Sequence, residues 1–62
     1  MDLVFDNIRK SRRFDGTVSD LLKDLKVMRE EVVVKVNGRL APETRKLSDS
    51  DRVEVIKVVF GG

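Results

Sequence analysis

The group in this sequence best suited to chemistry is a main-chain one, the carboxylate of Gly62, which follows Gly61 and the apolar run Val58-Val59-Phe60. Glycine lacks a Cβ, so a glycine pair can pass through a narrow channel and adopt backbone angles closed to other residues. An α-carboxylate is ionised at neutral pH and is a poor electrophile, so it needs activation by a partner before its acyl carbon can react. Side chains offer little competition. None of the 62 residues is a cysteine or a histidine, which removes disulfides, thiolate nucleophiles, most zinc sites and imidazole acid–base chemistry together. A self-contained enzyme is disfavoured on that count, and so is dependence on an oxidising compartment.

Three other groups of residues invite a functional reading, each with a plainer one beside it. Ile56, Val58, Val59 and Phe60 are costly to leave in water, so those that stay exposed mark a partner-docking patch, unless a loop covers them or the chain dimerises. Arg9, Lys10, Arg12 and Arg13 form a basic cluster able to meet phosphates or an acidic protein face, yet such clusters are commonly solvated turns. No aromatic residue interleaves with these charges, as single-stranded nucleic-acid platforms require. Asp49 and Asp51 lack the full oxygen-ligand spacing of a calcium loop and read as turn residues. Against 11 acidic residues stand 13 basic ones, a net charge of +2 that argues only weakly for a polyanion.

The elements that position these groups can be read from periodicity. Met1, Leu3 and Phe5 alternate with Asp2, Val4 and Asp6, as in a strand with one buried face, and Asp6-Asn7 suits a turn. A second strand is expected from about Ser11 to Phe14, closed by Asp15-Gly16. Thr17 and Asp20 have capping-box spacing, and Val18, Leu21, Leu22, Leu25 and Met28 share one face of an amphipathic helix running to about Met28. Val32 to Val36 forms a β-branched strand that ends at the hairpin signal Asn37-Gly38, and Arg39 to Ala41 returns as an edge piece before Pro42. The stretch from Glu43 to Asp51 is polar except for Leu47, which pins it to the core. The last strand runs from Arg52 to about Val58, with Val53 and Val55 on the face opposite Ile56 and Val58. Strand, strand, helix, strand, short strand, strand is the order of a β-grasp. The expectation is α+β: a mixed sheet of four to five strands, one helix across it, and the first and last strands parallel at the centre.

Thr17-Val18-Ser19-Asp20-Leu21-Leu22, Val36-Asn37-Gly38 with Leu40 and Pro42, Asp51-Arg52-Val53-Glu54-Val55 and the closing Gly61-Gly62 together resemble the ubiquitin-like sulfur carriers of the ThiS and MoaD type, including small archaeal modifiers. The similarity covers nearly the whole chain. It implies a protein that binds no cofactor itself and is the substrate of an E1-like adenylating enzyme, which uses ATP to form an acyl adenylate at Gly62. A sulfur donor protein then converts the adenylate to a C-terminal thiocarboxylate, for delivery to a synthase making thiamin or molybdopterin, or to tRNA thiolation. Two alternatives stay open: conjugation through Gly62 to target lysines, and a β-grasp module that binds RNA or protein without covalent chemistry. The expected organisation is a single domain over residues 1–62 with a flexible tail from about Val58. With no apolar run near the ~20 residues that span a bilayer and an opening Met1-Asp2, the expected location is the cytoplasm, with no membrane partner.

Overall fold

The computed structural model describes residues 1–58. In chain order it contains β1 (Asp2–Phe5), β2 (Ile8–Ser11), β3 (Gly16–Thr17), α1 (Val18–Leu25), a 3-10 turn (Arg29–Glu31), β4 (Val32–Val36), β5 (Arg39–Leu40), β6 (Lys46–Leu47) and β7 (Arg52–Lys57). Five strands form one mixed sheet in the order β2-β1-β7-β4-β5, while β3 and β6 make a separate two-stranded ladder. The first and last strands lie parallel at the centre, Leu3 opposite Val53 and Phe5 opposite Val55, as expected. On its other side β7 runs antiparallel to β4, with Val34 opposite Val55 and Val36 opposite Val53.

One face of this sheet and one face of α1 close the core. Leu3, Val34, Val36, Val53 and Val55 meet Val18, Leu21 and Leu22, with Met1 and Leu47 at the margins. Phe14 packs against this cluster, and Leu47 is buried as its position in a polar stretch requires.

The helix starts where its capping box places it. Thr17 Oγ1 accepts from the Asp20 amide at 3.2 Å, and the Thr17 amide donates to Asp20 Oδ2 at 3.0 Å. The next free helix amides are met by the connection that carries β6, for Val18 N donates to the Arg45 carbonyl and Ser19 N to that of Glu43, both at 2.9 Å.

The helix ends earlier than expected. Lys26 adopts the left-handed conformation (φ 59°, ψ 40°). Its amide donates to Lys23 O at 3.1 Å, and that of Val27 donates to Leu22 O at the same distance, the paired bonds of a Schellman cap. Met28 therefore lies beyond the helix and is exposed.

The second strand also differs from its expected place. Asp6 (φ 54°) and Asn7 (φ 62°) make a two-residue turn with both φ positive, so Phe5 faces Ile8 directly and pairing resumes at once. All four residues of β2 are exposed, so no apolar alternation marks it; its backbone bonds to β1 define it. Arg9 and Lys10 consequently lie on an edge strand and not in a turn.

Candidate functional site

The chain leaves the described structure from the end of β7, and the residues around that exit form the candidate site. As the central strand, β7 is bonded along both edges. Its last described link is Val58 N donating to the Glu31 carbonyl at 2.8 Å, which carries the pairing with the β4 side one residue past the strand. Val59, Phe60, Gly61 and Gly62, which follow this bond in sequence, lie outside the described residues.

The strand alternates cleanly. Val53 and Val55 are buried beneath α1, while Ile56 is 43% exposed on the opposite face. Val33 stands directly across from Ile56, and a row of Val4, Glu54, Lys35 and Leu40 crosses the same open face one pair away. Ile56 and Leu40 are exposed and Val4 and Val33 half-buried, so the face opposite the helix carries a broken apolar patch. At its edge, against the β1–β2 turn, a depression of about 320 Å³ is lined by Val4, Asn7, Glu54 and Ile56. Ile56 and Val58 were both expected to face outward here, and Val58 is half-buried where Ile56 is exposed. Val4, Val33 and Leu40 were not expected, although Val4 was legible as an apolar residue between inward-facing Leu3 and Phe5.

The opposite end of β7 is fixed by polar bonds. Asp51 is only 7% exposed. It accepts from Arg45 Nη1 at 3.0 Å, from Asn37 Nδ2 at 2.9 Å and from the Ser48 amide at 2.9 Å. The Arg45 bond, then those from Asn37 and Ser48, hold its carboxyl far below the usual carboxylate range. Asn37 in turn accepts from the Arg52 amide at 2.9 Å and donates its own amide to Arg52 O at 2.7 Å. The Asn37-Gly38 hairpin and the start of β7 are thereby one unit. Asp51 is a turn residue, as expected, with Asp51 N donating to Ser48 O at 3.1 Å, while Asp49 stays exposed.

β7 is thus anchored at Asp51 and hydrogen-bonded along both edges. Residues 4–62 match the ThiS family. The chain belongs to that family. It is 40% identical over 48 residues to small archaeal modifier protein 2 of Haloferax volcanii, a match covering 77% of this chain and 71% of that protein. The crystal structure of thiamine biosynthesis protein ThiS from Geobacter metallireducens superposes with a TM-score of 0.67 at 28% identity, over the whole of both chains. These likenesses make the fold a ubiquitin-like β-grasp and place the chain among the ThiS-like sulfur carriers and small archaeal modifiers. Among the described residues, no helix is long and apolar enough to cross a membrane.

Proposed function

We propose that this ThiS-family chain is a sulfur carrier whose working atom is the Gly62 carbonyl carbon. An E1-like enzyme activates it: a Gly62 carboxylate oxygen attacks the α-phosphorus of ATP, pyrophosphate leaves, and an acyl adenylate forms. A donor protein's cysteine persulfide then attacks the acyl carbon through its terminal sulfur and expels AMP. A second thiol of the partner machinery breaks the S–S bond of the resulting acyl disulfide, taking the donor cysteine into a new disulfide and releasing a Gly62 thiocarboxylate for thiamin or molybdopterin assembly or for tRNA thiolation. The chain supplies the acyl group and the recognition surface, and the partner supplies the ATP site.

The observation that carries this reading is the placement of Gly61-Gly62 four residues or fewer beyond Val58, the last bonded position of the central strand. Four residues reach at most ~14 Å, at ~3.3–3.6 Å each. That length is enough to enter an enclosed catalytic site while Ile56 and its neighbours rest on the enzyme's surface. Burial of such an apolar patch is a common source of docking affinity. Likeness to a small archaeal modifier supports a second reading on the same machinery, in which Gly62 is joined to lysines of target proteins.

The test mixes the purified chain with an E1-like adenylating enzyme and ATP and follows pyrophosphate exchange. Exchange should require Gly62. Absence of exchange with every such enzyme from the same cells would overturn the proposal. Intact-mass analysis of protein from native cells separates the two products, since replacement of one oxygen by sulfur marks the carrier and branched peptides ending in Gly61-Gly62 mark the modifier.

A further inference from the structure

The basic cluster has no part in the chemistry of Gly62, yet the fold gives it a defined setting. β2 is an outer strand of the five-stranded sheet and is exposed at every residue. Its hydrogen-bonded pairs with β1 follow from two facts: a two-residue turn links Phe5 to Ile8, and Arg12 N donates to Met1 O at 2.9 Å. Ile8, Lys10 and Arg12 therefore face β1 with their backbone groups, while the N–H and C=O groups of Arg9 and Ser11 point to the open edge. An edge of this kind is a template for another strand.

Beside that edge lies a groove. The register sets Ile8 beside Phe5 and Lys10 beside Leu3 on the helix side of the sheet, and the space between β2 and the end of α1 encloses about 180 Å³. Leu3, Phe5, Ile8 and Leu25 make its apolar floor and walls, with Ile8 55% exposed. Lys10 and Arg12 stand at its rim. Arg12 reaches across to Asp24 on α1 at 2.6 Å, and Lys57 lies 5.7 Å from the centre of the Phe5 ring. Asp6 is the acidic group in the lining, and Asp24 is already neutralised by Arg12. Among the described residues no salt bridge occupies Arg9, Lys10 or Arg13.

We infer that the open edge of β2 and this groove form a docking site for an extended segment of a partner protein, aliphatic at its centre and flanked by carboxylates. The segment joins the sheet as a further strand about 4.8 Å from β2. Main-chain bonds to Arg9 and Ser11 hold it, alternate aliphatic side chains descend beside Ile8 toward Leu25, and its carboxylates meet Arg9, Lys10 and Arg13. Protein fits better than nucleic acid: the groove is apolar, and the Phe5 and Phe14 rings each already carry a cation, Lys57 and Arg12 respectively, the latter at 5.5 Å. The site is independent of the Gly62 chemistry.

The test titrates isotope-labelled full-length chain with a synthetic peptide of about ten residues, valine and isoleucine at the centre and glutamate at both ends. The amide signals of Arg9 and Ser11 should move most and become protected from exchange. Lys10→Glu should weaken binding by roughly tenfold or more. Ser11→Pro, which removes an edge N–H and leaves the groove and charges in place, should do the same. If Ser11→Pro loses the dispersed spectrum of the fold, Lys10→Glu, at an exposed position, decides alone. Removal of Gly62 should leave binding unchanged. The inference is overturned by no binding at millimolar peptide, by equal binding of a lysine-flanked peptide, or by shifts confined to the Ile56 face. Preference for an oligothymidylate over the peptide, or pairing of β2 with β2 of a second copy, overturns it as well.

Discussion

Asp51 stands one residue before β7 and fixes where that strand begins, because three donors converge on its carboxylate, Arg45 and Ser48 from either side of β6 and Asn37 from the turn after β4. Replacement by alanine leaves Arg45, Asn37 and the Ser48 amide without their acceptor, a loss of about 2–3 kcal/mol for a largely buried charged group. A drop of about 10 °C or more in the thermal midpoint checks it. The same bonds give a pH dependence of known sign. The folded carboxyl titrates below its unfolded counterpart, so the unfolded chain binds more protons as the solution is acidified. The stabilisation is complete above about pH 4 to 5 and is lost progressively below it. Thermal unfolding should show that loss on acidification, and Asp51→Asn should flatten the profile. Gly16 makes a second residue-scale test. At φ +151° it has a backbone closed to most side chains, and an added Cβ would stand 2.8 Å from Asp20 Oδ2, the oxygen that caps the helix. Gly16→Ala should thus cost more than the ~1 kcal/mol of a lost cap, measured by denaturant midpoint. Sequence identified Asp51 as a turn residue, but not as a hub: its partners Asn37 and Arg45 lie 14 and 6 residues away, and only the closed sheet brings them together.

Elements were legible where a local chemical signal marks them and obscure where only backbone pairing does. The start of α1 is written in Thr17 and Asp20, and the Asn37-Gly38 turn in its own residue types. The end of α1 carries no such mark, because a lysine takes the left-handed position usually held by glycine. Met28 then continues the helical spacing by coincidence, and the apolar pattern overshoots the cap. This cap carries its own prediction. A lysine at φ 59° is strained and a glycine is not, so Lys26→Gly should stabilise the fold by about 0.5–1 kcal/mol despite the larger entropy of the unfolded chain. A fall in the denaturant midpoint instead would mean that the Lys26 side chain contributes packing beyond its backbone role. β2 was expected a few residues too late and the β3–β6 ladder escaped notice for a related reason. Each is short or fully exposed, and each exists because a neighbouring element offers it hydrogen bonds.

At the scale of the whole molecule, anchoring and the proposed reactivity are separated along one strand. Asp51 and the hairpin hold the start of β7, the buried Val53 and Val55 hold its middle, and the proposed acyl group lies past its end. The candidate site was legible in sequence to the extent that alternation assigns faces: Ile56 had to point away from Val53 and Val55. Its neighbours Val33 and Leu40 were not legible, since they come from strands 16 or more positions away and meet it only through the sheet register. Two variants separate docking from chemistry. Ile56 is 43% exposed, so Ile56→Lys should change folding stability by no more than about 0.5 kcal/mol. By placing a charge in the patch, it should raise the KM for adenylation by roughly tenfold while kcat at saturation persists, because a docking contact formed equally in ground and transition states affects KM alone. Deletion of Gly62 should leave the thermal midpoint unchanged and abolish exchange at every concentration. If Ile56→Lys lowered kcat as severely as the deletion, the open face would be aligning the acyl carbon and not only holding the partner, and the two functions assigned to opposite sides of Val58 would have to be merged.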